Sequence, residues 1–250
     1  MSQVSGNVLP ISYQGDLAKT FRSLITSDSA SYVAWLKLNG LDPNDQVTHE
    51  MYSLSNLYVP KIYVERDRLY LNVPRVQFWI SFMPEVGTRE FIERQLLFKQ
   101  FSIGDQTSSV SFKVQSVSDI SPIKYYGTME YQTLSPIVIM AMRANNSLEF
   151  LRPGNPFFAQ FLVDGLIERW ERYYRCPYTG NRNFYFNLLQ PERRKAININ
   201  DEMGQQMVVS YMMKFQLSLD PQLQQFAYVC GLGDKTDCGF GFIELLKKKR

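Results

Sequence analysis

One stretch near the C-terminus constrains this chain more than any other: Gly231-Leu232-Gly233-Asp234-Lys235-Thr236-Asp237-Cys238-Gly239-Phe240-Gly241. Two Gly-apolar-Gly triplets bracket a polar centre at 234–238. Glycine admits positive φ and lets another backbone come close. Tyr228-Val229-Cys230 enters the loop as an apolar run, and Phe242-Ile243-Glu244-Leu245 leaves it as a strand. The loop is therefore pinned between two packed elements. Exposed amides at Gly231, Gly233, Gly239 and Gly241, together with Lys235, suit a polyanion. A lone Gly-x-Gly is more often a tight turn, but two triplets at this spacing before a strand are more specific.

The rest of the chain predicts a repeated α+β pattern around that loop. Residues 1–8 have room for a short strand. Asp16 caps a helix with Leu17, Phe21, Leu24 and Ile25 on one face, leaving Arg22 pointing outward. Ser29 caps a second helix that ends at Asn39-Gly40, with Lys37 in its last turn. His49, the one histidine, follows a loop at 41–46. Strands are expected at 52–59 and 61–73, turning at Glu65-Arg66-Asp67, and again at 76–82. A helix at 88–100 and a strand at 108–117 complete a ferredoxin-like βαββαβ unit. The second unit has strands within 125–143, then a long helix opened by Asn155-Pro156, with Phe158, Leu162, Leu166, Trp170 and Tyr173 on its apolar face. A turn-rich segment at 178–195, a strand at 207–219, a helix after Pro221, the glycine loop and a closing strand follow. The expectation is an α+β protein of two tandem ferredoxin-like units, 1–122 and 123–250, the second carrying the loop at 231–241. A length of 250 residues is enough for two cores.

Three segments resemble the CRISPR-associated RAMP endoribonucleases, which cut repeat transcripts into guide RNAs. They are the glycine loop; Thr133-Leu134-Ser135-Pro136-Ile137-Val138-Ile139, where the second unit begins; and Leu9-Pro10-Ile11-Ser12-Tyr13-Gln14 with the helix after it. They occur in the family's order and span nearly the whole chain. The resemblance implies metal-independent cleavage of CRISPR precursor RNA within its repeats, with no cofactor. It implies a prokaryotic cytoplasmic protein, monomeric or homodimeric, whose partners are precursor and mature guide RNA and, further, subunits of an interference complex. A non-catalytic RNA-binding relative in such a complex is the alternative.

The residues suit that chemistry. A base takes the proton of a 2′-hydroxyl, which attacks the adjacent phosphate; an acid protonates the departing 5′-oxygen, and cations stabilise the phosphorane. No run of 18 apolar residues suggests a membrane span. Cys176, Cys230 and Cys238 are scattered, without a Cys-x-x-Cys pair, which fits a reducing compartment and disfavours zinc. No Walker-type phosphate loop or Gly-x-Ser-x-Gly elbow is present. The formal charge is +3, and the tail Lys247, Lys248, Lys249 and Arg250 alone supplies four positive charges, so RNA contacts must come from local patches.

His49 titrates nearest neutrality and is the candidate acid or base. The family's usual histidine follows a Trp/Tyr-Leu pair, but here Trp35-Leu36 is followed by Lys37. Either Lys37 has replaced that histidine, or His49 reaches the same phosphate from the next segment. Lys37 also suits a plain helix C-terminus. Arg22 lies near the position where some family members place a catalytic tyrosine, and is a phosphate ligand or a solvated helix residue. Tyr52 orients a base, donates a proton, or packs in the core. Lys235 and the loop glycines, Arg143 and the cluster Arg193, Arg194 and Lys195 are the RNA-binding candidates, with a solubilising surface as the plainer reading of each patch. Phe184, Tyr185 and Phe186 stack bases or, in the plainer reading, pack in the core.

Overall fold

The computed structural model describes residues 1–201 and 204–246; the basic tail at 247–250 lies outside the described residues. The C-terminal half shows the ferredoxin-like order directly. Its strands are Thr128–Thr133, Tyr185–Leu188, Lys214–Ser218 and Ile243–Leu245. In the sheet they lie second, third, first, fourth, every neighbouring pair antiparallel. A long helix (Phe158–Tyr174) separates the first two strands, and another (Pro221–Cys230) the last two. Tyr131, Phe215 and Leu217 are fully buried beneath Leu162, Leu166 and Phe226 of those helices. The period-2 strands and the helical stripe thus close one core. The second helix opens as expected: Asp220 accepts from the Gln222 amide at 2.9 Å, and Pro221 occupies the first turn.

Between the second and third strands stands a long hairpin, Arg193–Asp201 paired with Gly204–Met212. The single strand expected at 207–219 is in fact two, since the ladder changes partner at Met213. The hairpin turns Ile197, Ile199 and Val208 inward. With Val138 and Phe240 they form a small separate core, against which Met140, Phe150 and Cys238 pack.

The N-terminal half spreads its strands over three small sheets. Ser2–Ser5, Ser109–Lys113 and Gln100–Gly104 form one; Val8–Pro10, Arg68–Leu71 and Ile62–Glu65 form another; Tyr52–Leu54 pairs with Ile80–Phe82. The expected turn at 65–67 is a tight hairpin, with Arg66 at φ 54°. In chain order the helices are α1 (Gln14–Ile25), α2 (Ser29–Leu38), α3 (Val47–Glu50), α4 (Thr88–Leu96), α5 (Phe158–Tyr174) and α6 (Pro221–Cys230). α1 starts before Asp16, which lies in its first turn. Buried Tyr13 caps the helix instead, its hydroxyl accepting from the Leu57 amide at 3.0 Å. At α2 the cap is Asp28, which accepts from the Ser31 amide at 3.1 Å, one residue ahead of the expected Ser29. Likewise Asn155 accepts from the Phe157 amide, and α5 begins only after that turn. α4 stops at Leu96 because Leu97 is extended and Gln100 already belongs to a strand.

The two halves meet along α1, α3 and α5. Arg172 of α5 pairs with Glu50 of α3, and Arg175 just beyond α5 pairs with Asp45 at 3.2 Å. Ser53 and Ser81 both donate to the Val229 carbonyl of α6. No helix among the described residues is long and apolar enough to cross a membrane.

Candidate functional site

α1 and α3 bring together two side chains that lie 27 residues apart. Arg22 Nη2 donates to His49 Nε2 at 2.6 Å. The guanidinium has no lone pair to offer, so the imidazole accepts at Nε2 and carries its proton on Nδ1. Both residues are half-buried. Arg22 is therefore not the wholly outward residue its helix position suggested: its guanidinium reaches α3, while Lys19 and Ser23 of the same helix face water.

Tyr52 lies next to this pair but points inward. It is 1% exposed and packs on Phe21 and Phe82 with ring centroids 5.6 and 5.5 Å away. Its buried hydroxyl has no hydrogen-bond partner among the described residues. Burial raises its pKa far above the ordinary tyrosine value, opposed by the positive charge of Arg22. Of the three readings of Tyr52, packing in the core is the one its burial matches, because a side chain so sealed presents no hydroxyl to RNA. Lys37 stands exposed in the last turn of α2, whose opposite face carries buried Trp35 stacked on Phe91 of α4.

The glycine loop folds inward more than its sequence implied. Gly231, Gly239 and Gly241 are buried, and Gly233 is half-buried. The Leu232 amide donates to the Gly241 carbonyl at 2.9 Å, and the Gly241 amide to Pro136 at 2.8 Å. The Gly239 amide donates to Thr236 at 3.1 Å. The amides of Gly239 and Gly241 are thus spent inside the protein, which corrects the expectation that they face a ligand. At Gly233 (φ 83°) a Cβ would collide with the Val138 carbonyl, and at Gly241 (φ 81°) with that of Leu232. Glycine is required there by backbone packing alone. Asp234 accepts from the Met140 amide at 2.6 Å, and its half-shielded carboxyl is raised by desolvation. Lys235 takes a left-handed conformation (φ 57°) and leads into a short 3-10 turn, Thr236–Cys238. That turn packs against α1, α3 and the strand Tyr52–Leu54, so the loop adjoins the Arg22–His49 pair.

Arg169 is a site residue the sequence reading missed. It is only 8% exposed and donates to the carbonyls of Cys230 (3.1 Å) and Gly231 (2.6 Å), and to Thr236 Oγ1 (3.3 Å). Desolvation lowers its pKa. The signal was present: Leu162, Leu166, Arg169 and Tyr173 share one helical stripe, and an arginine on an apolar stripe needs buried acceptors.

The remaining cations are positioned by the hairpins. Arg143 follows the strand Met140–Met142 and pairs with Glu149 at 2.9 Å. Arg193, Arg194 and Lys195 are exposed at the base of the long hairpin, opposite Met212, Tyr211 and Ser210. The small core of Val138, Ile197, Ile199, Val208 and Phe240 ties both hairpins to the glycine loop, which puts these patches in one neighbourhood. Phe186 packs on Phe158 and Phe215 as core, whereas Tyr185 is 56% exposed. Among the described residues no three His, Cys, Asp or Glu side chains converge as a metal-ligand set.

Paired ferredoxin-like halves with a glycine-rich loop at their junction define a class, the RAMP proteins of CRISPR systems. Solved structures agree on the fold. One described as CRISPR associated protein Cas6 superposes with a TM-score of 0.77 at 23% identity, covering 98% of this chain and 96% of that one. Another, described as a RAMP protein binding different RNA substrates, gives 0.78 at 21% identity, covering 98% and 97%. Residues 120–245 match the family described as CRISPR associated protein Cas6, C-terminal, and the chain belongs to the Cas6 family. The CRISPR-associated endoribonuclease Cas6 1 of Methanocaldococcus jannaschii is 23% identical over 97% of this chain and 89% of its own length. A protein of Pyrococcus horikoshii named as a putative CRISPR-associated endoribonuclease-like protein, Cas6nc, is 24% identical over 84% and 87%.

Proposed function

We propose that this Cas6-family endoribonuclease cuts CRISPR precursor RNA within its repeats, without a metal, by attack of a 2′-hydroxyl on the neighbouring phosphate. The observation that carries the reading is the 2.6 Å contact between Arg22 and His49 beside the glycine loop. A cation and an imidazole on one spot are what this reaction requires. In the free protein the guanidinium occupies the Nε2 lone pair. When a phosphate binds, its oxygens compete for the guanidinium, and Nε2 is released to accept the 2′-hydroxyl proton. The same imidazole, now cationic, can protonate the leaving 5′-oxygen. Lys235, Arg143 and the cluster Arg193, Arg194 and Lys195 would bind the RNA backbone by charge. Gly231, Gly233, Gly239 and Gly241 would act by shaping the loop that presents Lys235.

The test is incubation of a labelled repeat RNA in excess chelator. The expected products carry a 2′,3′-cyclic phosphate and a 5′-hydroxyl, and a 2′-deoxy substitution at the scissile nucleotide blocks cutting but not binding. A strict magnesium requirement, or a 5′-phosphate product, would sink the mechanism. One observation favours a binding-only chain: Lys37 stands after Trp35-Leu36, where the resemblance leads one to expect histidine. Tight repeat binding with no cleavage at any pH from 6 to about 9, a span that brackets histidine titration, would select that reading.

A further inference from the structure

The rim of one N-terminal sheet is an open strand. Ile62–Glu65 pairs with Arg68–Leu71 on one side, and with no strand among the described residues on the other. Residues 60–67 are all exposed, among them Ile62 at 47%, Tyr63 at 55% and Val64 at 51%. Ile62 stands opposite buried Leu71, and Val64 opposite Leu69, which packs on the core. Opposite residues share a face, so the core face of this sheet runs out to the rim and ends there exposed. On the other face Tyr63 leans on Tyr70, ring centroids 5.8 Å apart, between Lys61 and Glu65. None of these residues belongs to the candidate site.

The ladder decides which backbone groups face out. The Asn72 amide donates to the Lys61 carbonyl at 3.1 Å, one step beyond the pair of Ile62 and Leu71. Bonded and non-bonded pairs alternate along an antiparallel ladder. Lys61, Tyr63 and Glu65 therefore bond inward, to Asn72, Tyr70 and Arg68, while Ile62 and Val64 turn their N–H and C=O groups outward. An edge of this kind is a template for another strand unless charges or a covering segment oppose one. Here the charges at its two ends, Lys61 and Glu65, have opposite signs. An identical strand running antiparallel meets each of them with its complement.

We propose that this edge is an interface between two copies of the chain, residues 61–65 of each pairing antiparallel about a two-fold axis at Tyr63. Ile62 then stands opposite the partner's Val64, Tyr63 opposite its own copy, and Lys61 opposite the partner's Glu65, the unlike pairs occurring twice. One register alone serves both outward residues. A slide of two residues one way sets Val64 against Pro60, which has no N–H. A slide of two the other way sets Ile62 against Arg66, held left-handed in the turn at φ 54°. A slide of one sets outward groups against inward ones. The two sheets become one continuous sheet, and Ile62 and Val64 of each copy cover those of the other. So short a contact falls below the ~1,200 Å² of a standard interface, and the dimer exchanges with monomer.

Two measurements on the full chain test this. In sedimentation velocity from about 1 µM to 1 mM, the span of weak association, the wild type is expected to move from monomer toward dimer. Lys61→Glu and Glu65→Lys each set like charges face to face at both ends, and each should remove that shift with the melting point unchanged. Both changes in one chain, or the two single variants mixed, should restore it. The second measurement traps the pair in a Cys176→Ser background, which lacks the exposed thiol. Oxidation with copper phenanthroline should cross-link Tyr63→Cys into a dimer, because a non-bonded antiparallel pair has Cα atoms about 4.5 Å apart, within disulfide range. Val64→Cys should not cross-link with itself, since in this register its own copy lies two residues away. A wild type monomeric throughout, single charge changes without effect, or no recovery in the double variant would each overturn the proposal. Cross-linking by Val64→Cys in place of Tyr63→Cys would do the same. So would a monomer whose amides at 62 and 64 are protected from hydrogen exchange only by added repeat RNA, which would make the edge a nucleic-acid surface.

Discussion

At the scale of single residues, the Arg22–His49 contact separates chemistry from binding. His49→Ala should lower the cleavage rate on the order of 10² to 10⁴, the usual range for a general acid–base group, with RNA affinity nearly unchanged in a filter-binding assay. Arg22→Lys retains the charge but loses the planar donor fork. It should fall between wild type and Arg22→Ala in single-turnover rate. Lys37→Ala is the discriminating control: loss of cutting there, with His49→Ala active, would transfer the chemistry to α2. Tyr52→Phe removes a buried hydroxyl that has no partner among the described residues. It should leave stability within about 0.5 kcal/mol of wild type or improve it, and leave the rate unchanged. A large rate loss with an unchanged melting point would return Tyr52 to the reacting groups.

At the scale of elements, the glycine loop is a folded part before it is a ligand site. Gly233→Ala and Gly241→Ala each combine a left-handed φ with a backbone collision, and should cost about 2–4 kcal/mol in denaturant unfolding. Their failure to bind RNA would therefore say little about recognition. Lys235→Ala is the cleaner probe, expected to fold normally and to reduce the salt slope of RNA binding by about one unit. Arg169 fastens the same loop to α5. Cys230, at the end of α6, has its thiol pushed up to about 12 by burial. It should be inert to thiol reagents while exposed Cys176 reacts. Arg169→Met should speed labelling of Cys230 and weaken RNA binding, with Arg169→Lys intermediate. Much of this architecture was legible in the sequence. The periodicities gave five of the six elements of the C-terminal half but read the strand Tyr185–Leu188 as part of a turn-rich segment, and Gly-Leu-Gly with Gly-Phe-Gly marked the loop. Periodicity carried no information on where α1 begins, because Tyr13 is held by a tertiary hydrogen bond from Leu57. The meeting of Arg22 with His49 was equally invisible, since it depends on how α1 and α3 dock. The inward turn of the loop depends on carbonyls from 136 and 138 that no local pattern predicts.

At the scale of the whole molecule, the candidate site belongs to neither half alone. We propose a boundary between residues 122 and 123, and limited proteolysis should nick the segment at 115–125 without releasing either half while the chain stays folded. His49 rides on a helix of only four residues, α3, which is too short to be stable by itself. It is moored to the C-terminal half by Glu50–Arg172 and Asp45–Arg175, all four side chains being partly open to water. Ion pairs so placed weaken within the ordinary range of ionic strength. Salt should then act on this protein twice. It would loosen RNA from the surface, as for any nucleic-acid binder, and it would also let the helix bearing the imidazole drift out of alignment. Raising salt at saturating RNA should therefore depress the turnover number itself, and the depression should disappear in a variant whose moorings are replaced by a disulfide. Such a chain would be a cutter whose precision tracks the ionic strength of its surroundings.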